Sequence, residues 1–459
     1  MNKEQFKSNY EQWTKDYVLF ISKIIDSKYN WNIHDTVEKL YSEGKPGLVD
    51  WAILKSAIPK TFCRAPFDRL QIDPDGHAKP CCKYKLGSLP DPNEKSSPTS
   101  NLKELWNQEE FQELRDQFMK GERPSGCSIC WQEEDSGVKS LRQVITTDRF
   151  EVPENVIFDL IPSSSPVYLD FKLSNICNLK CRICNPFLSS QWIKEYKDLK
   201  LAEGSYWKYT QNSQERLFAN PDNESILKEW AKNVFNVEFY GGEPLLQQEH
   251  RDILTLLSTY GNPQDTELFY NTNGTIFEED FFDHWRKFRR VRINFSIDDV
   301  SDRFEYQRKN AKWNEVLGNI KKFKEYSIKY NVKSEFTIYC TIGILNVFYI
   351  PEFLETITEV DVPVWFNLVH WPFHFAIKNL PPDVKDYIQL KLETIDTGKF
   401  ITHTDSISLK SVIQFMTDNE SNLEEFATCL KTINLHDEYR KESFEKTFPE
   451  LFELIKHYV

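Results

Sequence analysis

From about residue 166 onwards, short runs of β-branched and aromatic residues alternate with longer stretches of helical periodicity. Six runs predict strands, at residues 167–174, 234–240, 266–272, 291–297, 335–342 and 362–369. Helical patterns lie between them, for example at 188–200, 246–260, 313–330 and 351–359. Parallel strands need long crossover connections, which are usually helices. The alternation therefore predicts a parallel α/β domain, either an open sheet or a barrel.

Some of these strands alternate polar and apolar positions, although strands covered on both faces are normally continuous apolar runs. The polar positions share one face in each strand: Tyr168, Asp170, Lys172 and Ser174 in the first, and Arg292, Asn294 and Ser296 in the fourth. These faces line a polar barrel interior that could hold a ligand, or they face outward under incomplete helix cover. We favour the polar interior.

The regions on either side of this domain have different patterns. Aromatic residues at helical spacing near the N-terminus predict an amphipathic helix pair, and the C-terminal region is helical again. Between the helix pair and the α/β domain lies a region rich in cysteine and turns, such as the DPDG sequence at 73–76. We expect four parts: a helical segment (1–60), a cysteine-rich domain (61–160), the α/β domain (161–380) and a helical region (381–459).

Composition excludes several classes of partner. The chain has 70 acidic and 57 basic residues and a net charge of -13, and such a surface repels the phosphates of duplex nucleic acid. No stretch approaches the roughly 20 apolar residues of a membrane span. The first residues do not resemble a signal peptide either. We therefore expect a cytoplasmic protein with no membrane partner.

The ten cysteines are unevenly distributed: five lie between Cys63 and Cys130, three between Cys177 and Cys184, and Cys340 and Cys429 stand alone. Grouped cysteines in a reducing compartment indicate metal ligands rather than disulfides. Strand alternation places Cys340 on the apolar face of the fifth predicted strand. We predict that Cys340 and Cys429 are small buried residues without a catalytic role.

Cys177, Cys181 and Cys184 form a CxxxCxxC sequence directly after the first predicted strand. Three thiolates on one loop can bind a [4Fe–4S] cluster and leave its fourth iron open, although the spacing alone would also fit a partial zinc site. The second predicted strand ends in the sequence Tyr-Gly-Gly-Glu-Pro at 240–244. Together the two motifs resemble the radical S-adenosylmethionine (SAM) superfamily, over roughly residues 165–370.

This resemblance implies reductive cleavage of SAM to a 5′-deoxyadenosyl radical, which abstracts a hydrogen atom from a substrate. It also implies a set of SAM contacts: Gly241, Gly242 and Glu243 for the amino group, Ser296 and Asp298 for the ribose, Arg308 for the carboxylate, and Asn271 and Asn273 nearby. The chain departs from the family pattern in two places. Ile183 stands where an aromatic residue is common, and the fifth strand lacks a recognisable GxIxGxxE motif. The adenine contacts are therefore unassigned.

The first group of cysteines resembles the N-terminal half of a SPASM module or its shortened relative, the twitch domain. The similar features are the spacing C-x12-G-x4-C from Cys63 through Gly76 to Cys81, and the sequence Cys127-Ser-Ile-Cys130-Trp131. The resemblance implies one auxiliary [4Fe–4S] cluster on Cys63, Cys81, Cys127 and Cys130, in a module that precedes the barrel rather than following it. A zinc site with four cysteine ligands is the alternative, and Cys82 could replace Cys81.

The sequence thus predicts a radical SAM enzyme with a partial (β/α)6 TIM-like barrel, an N-terminal auxiliary-cluster domain and helical terminal extensions. It would be an oxidoreductase or would modify a peptide or a small molecule, with the auxiliary cluster accepting an electron or anchoring the substrate. The resemblance also implies an electron donor such as flavodoxin or ferredoxin. The alternative is a non-catalytic iron–sulfur or zinc scaffold, which the Gly-Gly-Glu sequence beside three cysteines disfavours.

Overall fold

The structure is a computed structural model of the chain. The residues that it describes are 33–44, 59–85 except 75, 101–147 except 136 and 138, 165–201, 217–400, 402–458 except 404 and 405, and a few isolated positions before residue 33. The chain divides into two compact units. Unit 1 comprises residues 1–171, 216–238 and 256–262, and unit 2 comprises residues 172–215, 239–255 and 263–459.

The strands of the described residues are β1 (Arg69–Ile72), β2 (Ala78–Lys79), β3 (Tyr168–Phe171), β4 (Lys180–Cys181), β5 (Asn236–Phe239), β6 (Glu267–Thr272), β7 (Arg290–Ser296), β8 (Arg308–Lys309), β9 (Ser334–Ile342) and β10 (Val364–Leu368). The helices before β6 are α1 (His34–Ser42), α2 (Ala65–Asp68), α3 (Leu102–Trp106), α4 (Glu109–Met119), α5 (Ser128–Asp135), α6 (Leu141–Thr147), α7 (Trp192–Asp198), α8 (Pro221–Trp230) and α9 (Gln248–Tyr260). The later helices are α10 (Asp280–Trp285), α11 (Ser301–Gln307), α12 (Trp313–Lys329), α13 (Ile350–Ile357), α14 (Pro382–Glu393), α15 (Leu409–Thr417), α16 (Leu423–Arg440), α17 (Phe444–Thr447) and α18 (Pro449–Ile455).

Unit 2 contains four parallel strands in the order β6-β7-β9-β10. One face of these strands is apolar and packs against helices. The Phe295 ring, for example, lies 5.4 Å from Phe323 of α12, and Tyr270 lies 5.4 Å from Trp285 of α10. Cys340 pairs with Phe366 in register and is 1% exposed on this apolar face, as the alternation predicts.

The other face of the same strands is polar. Register places Asn271 beside Asn294, and their side-chain amides are hydrogen-bonded at 2.9 Å. Further along, Ser296, Tyr339 and Trp365 stand side by side, with the two aromatic rings 5.5 Å apart. These three side chains are half-buried, so this face, called the polar face below, is partly accessible to solvent.

Unit 1 has the strand order β5-β3-β1-β2. Strand β1 comes from the cysteine-rich region and runs parallel to β3, the first predicted strand of the α/β domain. A tight turn connects β1 with the antiparallel β2, and Gly76 in that turn has φ 84° and donates its N–H to the Asp73 carbonyl at 2.9 Å. Beside these strands a hydrophobic core contains Phe62, Phe118 and Trp131.

The predicted α/β fold is confirmed, since the parallel strands of the protein alternate with helices and all six predicted strands are present. The helical character of the C-terminal region is confirmed by α14 to α18. The predicted N-terminal helix pair lies largely outside the described residues. No helix of the described part of the chain has both the length and the apolar character that crossing a membrane requires.

Candidate functional site

The three cysteines of the CxxxCxxC sequence lie on one loop of unit 2, between β3 and α7. Within this cluster-binding loop (residues 177–184), Cys181 belongs to β4 and pairs antiparallel with Arg308 of β8. The next residue, Arg182, donates its N–H to the Gln307 carbonyl at 2.8 Å, and the Cys184 N–H closes a turn onto the Cys181 carbonyl at 3.0 Å. The loop is therefore held by backbone hydrogen bonds to a segment far along the chain.

Hydrogen-bond donors surround two of the sulfur atoms. Cys177 Sγ accepts from the Leu179 N–H at 3.4 Å and lies 3.9 Å from Asn273 Nδ2. Arg308 Nη1 lies 3.7 Å from Cys181 Sγ. Such donors stabilise a thiolate, which is the form that binds iron, so this donor set fits a thiolate-ligated cluster.

The three thiols differ in their electrostatic surroundings. The hydrogen bond from the Cys184 thiol lowers the pKa of Cys181 to about 7, and the positive charge of Arg308 acts in the same direction. Burial raises the pKa of Cys177 to about 12.

The Gly-Gly-Glu turn follows β5 and packs on Ile176, the residue that directly precedes the cluster-binding loop. Gly241 and Gly242 have φ values of 82° and 57°, in the left-handed region that favours glycine. A Cβ atom on Gly242 would lie 2.3 Å from the Ile176 carbonyl oxygen, which already accepts the Glu243 N–H at 2.8 Å. Only glycine therefore fits at position 242 without a shift of the backbone.

Glu243 connects this turn to the end of β6. Its side chain is 1% exposed, and its carboxylate accepts hydrogen bonds from Thr272 Oγ1 at 2.8 Å, the Asn273 N–H at 2.8 Å and the Leu245 N–H at 3.2 Å. Burial raises the pKa of Glu243 to about 7. Since protein groups occupy this carboxylate, a contact of the turn with the SAM amino group would come from its backbone.

The remaining predicted SAM residues fall into two groups. Asn273 contacts the cluster-binding loop, since its Nδ2 donates a hydrogen bond to Asn178 Oδ1 at 2.9 Å. Asp298 and Arg308 form a buried ion pair at 2.7 Å, and Asp298 also accepts the Thr341 N–H at 3.0 Å. In contrast, Asn271 and Ser296 lie on the polar face. The structure thus brings the loop, the turn, Asn273, Asp298 and Arg308 together in unit 2.

A small cavity beside the loop contains residues that the sequence analysis did not identify. Its lining includes Ile183, Asp298, Gly343, Val369 and Phe375. Gly343 and Val369 directly follow β9 and β10, and the carboxyl ends of parallel strands are the usual place for ligands. Position at a strand end, rather than a sequence motif, was the signal that could have identified these two residues.

The second group of cysteines lies in unit 1. Cys63 and Cys130 are buried, Cys81 and Cys127 are half-buried, and Cys82 is exposed. Burial raises the pKa of Cys63, and the neighbouring Cys127 and Cys130 raise it further, while Cys81 is affected in the same way by Cys82, Cys63 and Cys130. Electrostatic interactions thus connect the four predicted auxiliary ligands, and Cys82 is the most exposed of the five cysteines.

Among the described residues, no group of three or more His, Cys, Asp or Glu side chains has the spacing to hold a single metal ion.

Comparisons with protein families match two parts of the chain. Residues 171–357 match the model of the radical SAM superfamily, and residues 63–131 match that of SPASM, an iron–sulfur cluster-binding domain. The second match begins at Cys63 and ends at Trp131, the limits of the cysteine pattern described above.

Curated relatives cover part of the chain. The cysteine-type anaerobic sulfatase-maturating enzyme of Clostridium novyi is 27% identical over 172 residues, which are 35% of this chain and 40% of the relative. The GTP 3′,8-cyclase of Vibrio parahaemolyticus is 25% identical over 204 residues, 43% of this chain and 53% of the relative. The chain therefore spans about half or less of these proteins. The crystal structure of Streptococcus suis SuiB has 14% identity and a TM-score of 0.34, covering 54% of this chain and 51% of that one.

Proposed function

Since this chain belongs to the radical SAM superfamily and has a SPASM iron–sulfur cluster-binding domain, we propose that it cleaves SAM reductively and removes a hydrogen atom from a peptide or a small molecule. When bound to the protein and reduced by one electron, a [4Fe–4S] cluster with SAM supplies the 5′-deoxyadenosyl radical for this reaction. The electron would come from a donor such as flavodoxin or ferredoxin.

The observation that carries the proposal is the contact between the cluster-binding loop and the Gly-Gly-Glu turn. Cys177, Cys181 and Cys184 would hold three irons, and the Asn273 amide and the Arg308 guanidinium stabilise the negative charge of the sulfurs. The turn packs close enough to the loop for Glu243 to donate its N–H to Ile176, the residue before Cys177. A ligand of the open iron would therefore lie within reach of the backbone of this turn.

The other predicted SAM contacts are consistent with this placement. Ser296 and Asp298 would bind the ribose, and Arg308 would pair with the SAM carboxylate; both contacts of the ion pair require Asp298 and Arg308 to exchange their mutual pairing for SAM. A scaffold protein would need none of these features beside its cysteines.

The polar face favours an uncharged substrate group over a polyphosphate. Binding of a triphosphate needs cations that are available to its oxygens. On this face the Arg292 guanidinium already pairs with Glu335 at 3.1 Å and has Glu267 at 4.0 Å. Tyr339 and Trp365 instead offer an aromatic surface for a side chain of a peptide or for a small neutral molecule. We therefore propose such a substrate rather than a nucleoside triphosphate.

In the auxiliary site, Cys63, Cys81, Cys127 and Cys130 would together complete the ligand set of one cluster and leave no iron open. We propose that this cluster accepts an electron from the product radical or anchors the substrate.

The proposal is tested with anaerobically reconstituted protein and dithionite. The wild type should convert SAM to 5′-deoxyadenosine without added substrate, and the variant with Cys177, Cys181 and Cys184 replaced by Ala should not. Cys429→Ala is the matched control, since that thiol is fully buried in α16 and belongs to neither group of cysteines. Cleavage by the triple variant would show that the loop is wrongly assigned. Iron binding without SAM cleavage by the wild type would favour a scaffold.

A further inference from the structure

Arg182 stands between two residues of the cluster-binding loop that face the site, and it is itself buried. The residue as a whole is 2% exposed, and its guanidinium carbon lies 3.5 Å from the centre of the Tyr306 ring. Arg182 Nη2 pairs with Asp437 Oδ1 at 2.5 Å and with Glu442 Oε2 at 2.7 Å. Both carboxylates come from the C-terminal region, about 255 residues further along the chain.

The local structure at the end of α16 directs both carboxylates at the loop. Helix α16 ends at Arg440, and Lys441 adopts a left-handed conformation with φ 57°, which reverses the chain so that Glu442 points back. Asp437 is fixed by the Tyr306 hydroxyl at 2.7 Å and by the Phe444 N–H at 2.6 Å. The position of the Asp437 carboxylate is therefore set by a buried tyrosine and by the backbone.

These carboxylates hold both strands of the β4–β8 ladder. While Glu442 Oε2 pairs with Arg182, its Oε1 pairs with Lys309 Nζ at 2.6 Å. Arg182 follows Cys181, and Lys309 follows Arg308, the residue whose guanidinium approaches the Cys181 sulfur. The Glu442 carboxylate thus links Arg182 with Lys309. These are the residues that directly follow Cys181 and Arg308, whose side chains must stay at a fixed distance.

Other residues near the end of α16 hold the loop from a second side. The Trp192 indole donates to the Cys181 carbonyl at 3.0 Å, and its ring lies between His436 at 5.0 Å and the Arg440 guanidinium at 4.5 Å. Arg440 pairs with the buried Glu195 at 2.9 Å, and Glu195 in turn pairs with Lys180. Three consecutive loop residues, 180 to 182, are therefore tied directly or indirectly to one helix end.

We propose that residues 436–442, called the C-terminal clamp below, are a positioning element for the cluster-binding loop. Through Arg182 and Lys309, Asp437 and Glu442 keep Cys181 and Arg308 at the spacing that the cluster and SAM require. The proposal rests on the proposed function for the assignment of this loop to the cluster. Because Arg182 is buried, neutralising either carboxylate leaves its charge poorly compensated, and the loop then opens locally more often.

The first test measures hydrogen–deuterium exchange in the full-length protein without cluster or SAM, so that its result does not depend on the proposed chemistry. Asp437→Asn and Glu442→Gln should each make backbone amides of residues 177–184 exchange about tenfold faster. Glu450→Gln is the matched control, because Glu450 accepts a hydrogen bond from Tyr349 at 2.9 Å in α18. It should leave exchange of the loop unchanged.

The second test separates positioning from folding. In reconstituted protein, Glu442→Gln should raise the KM for SAM about fivefold or more, while kcat per bound cluster stays within about twofold. Arg182→Lys, which keeps the charge, should restore part of the loop protection that Arg182→Gln loses. We expect Glu442→Gln to perturb folding less than a substitution of Arg182, because the Glu442 side chain is 14% exposed whereas that of Arg182 is 1% exposed.

If the amides of the loop exchange equally fast in Glu442→Gln and Glu450→Gln, the proposal is overturned. It is also overturned if the exchange rates in Glu442→Gln increase uniformly over all of unit 2, since that would mean general destabilisation. An unchanged KM for SAM overturns it as well. Failure of the wild type to cleave SAM, together with selective loop opening in the clamp variants, would leave the clamp intact and reject the proposed function alone.

Discussion

Replacing Gly242 with Ala perturbs the contact between the Gly-Gly-Glu turn and the cluster-binding loop at a single atom. The residue has φ 57°, and the new Cβ would lie 2.3 Å from the Ile176 carbonyl oxygen. That oxygen belongs to the backbone, so no side-chain rotation relieves the contact. The turn or the loop must move, and the hydrogen bond from the Glu243 N–H to the same oxygen is then lost.

Two terms set the expected loss of stability. A left-handed conformation costs a residue with a Cβ about 1–2 kcal/mol. The lost hydrogen bond adds about 1 kcal/mol. We therefore expect Gly242→Ala to lower the free energy of unfolding by about 2–3 kcal/mol. We also expect weaker binding of SAM, because the displaced turn provides backbone contacts to it.

Urea denaturation followed by circular dichroism measures the first effect, and equilibrium dialysis of SAM against reconstituted protein measures the second. Two glycines serve as matched controls, since a Cβ on either meets nothing within 4 Å. Gly44 has φ 72°, so Gly44→Ala should show the conformational cost alone, about 1–2 kcal/mol. Gly318 lies inside α12, and Gly318→Ala should stabilise the protein by about 0.5–1 kcal/mol.

The difference in stability between Gly242→Ala and Gly44→Ala tests whether the turn approaches Ile176 as closely as the structure shows. If Gly242→Ala destabilises the protein no more than Gly44→Ala does, the close approach of the turn to Ile176 is wrong. If stability falls as expected but SAM binds as tightly as in the wild type, the turn does not contribute to the SAM site.

Three further predictions concern the clusters, a lone cysteine and a buried histidine. Reconstituted wild type should contain about eight irons and the triple Cys→Ala variant about four, whereas about four irons plus one zinc in the wild type would contradict an auxiliary cluster. Cys340→Ala should retain substrate turnover and lose about 1 kcal/mol of stability; a variant that makes 5′-deoxyadenosine but no product would show that this thiol is catalytic. Burial lowers the pKa of His250 in the folded protein to about 3, whereas a histidine in the unfolded chain has a pKa of about 6.5. As the pH drops below 6.5, the unfolded chain therefore binds a proton that the folded protein does not, and the free energy of unfolding falls. This residue alone should cost about 2 kcal/mol between pH 7 and pH 5 in urea denaturation, and an equal loss in His250→Phe would refute its role.

Much of the fold follows from local patterns. Alternation of side chains along 291–297 and 335–342 predicted which residues share a face, and the structure shows those faces. The cluster-binding loop and the glycine turn could be recognised because the residues of each motif are adjacent in the chain. Strand β1 was not predicted. Its sequence, Arg-Leu-Gln-Ile at 69–72, does alternate polar and apolar residues, but a run of only four residues in a turn-rich region is a weak signal, and the strand forms by pairing with β3.

The partners of the site residues came only with tertiary structure. Sequence indicated that Glu243 belongs to the SAM motif, yet its carboxylate binds groups about 30 residues away, at the end of β6. Similarly, no pattern connects Arg182 with Asp437, although their ion pair lies beside Cys181. Periodicity and motifs describe the backbone and the neighbours along the chain, since they depend on bonds and on local geometry. Which buried charges meet depends on how distant segments pack, and that was decided by the folding of the whole chain.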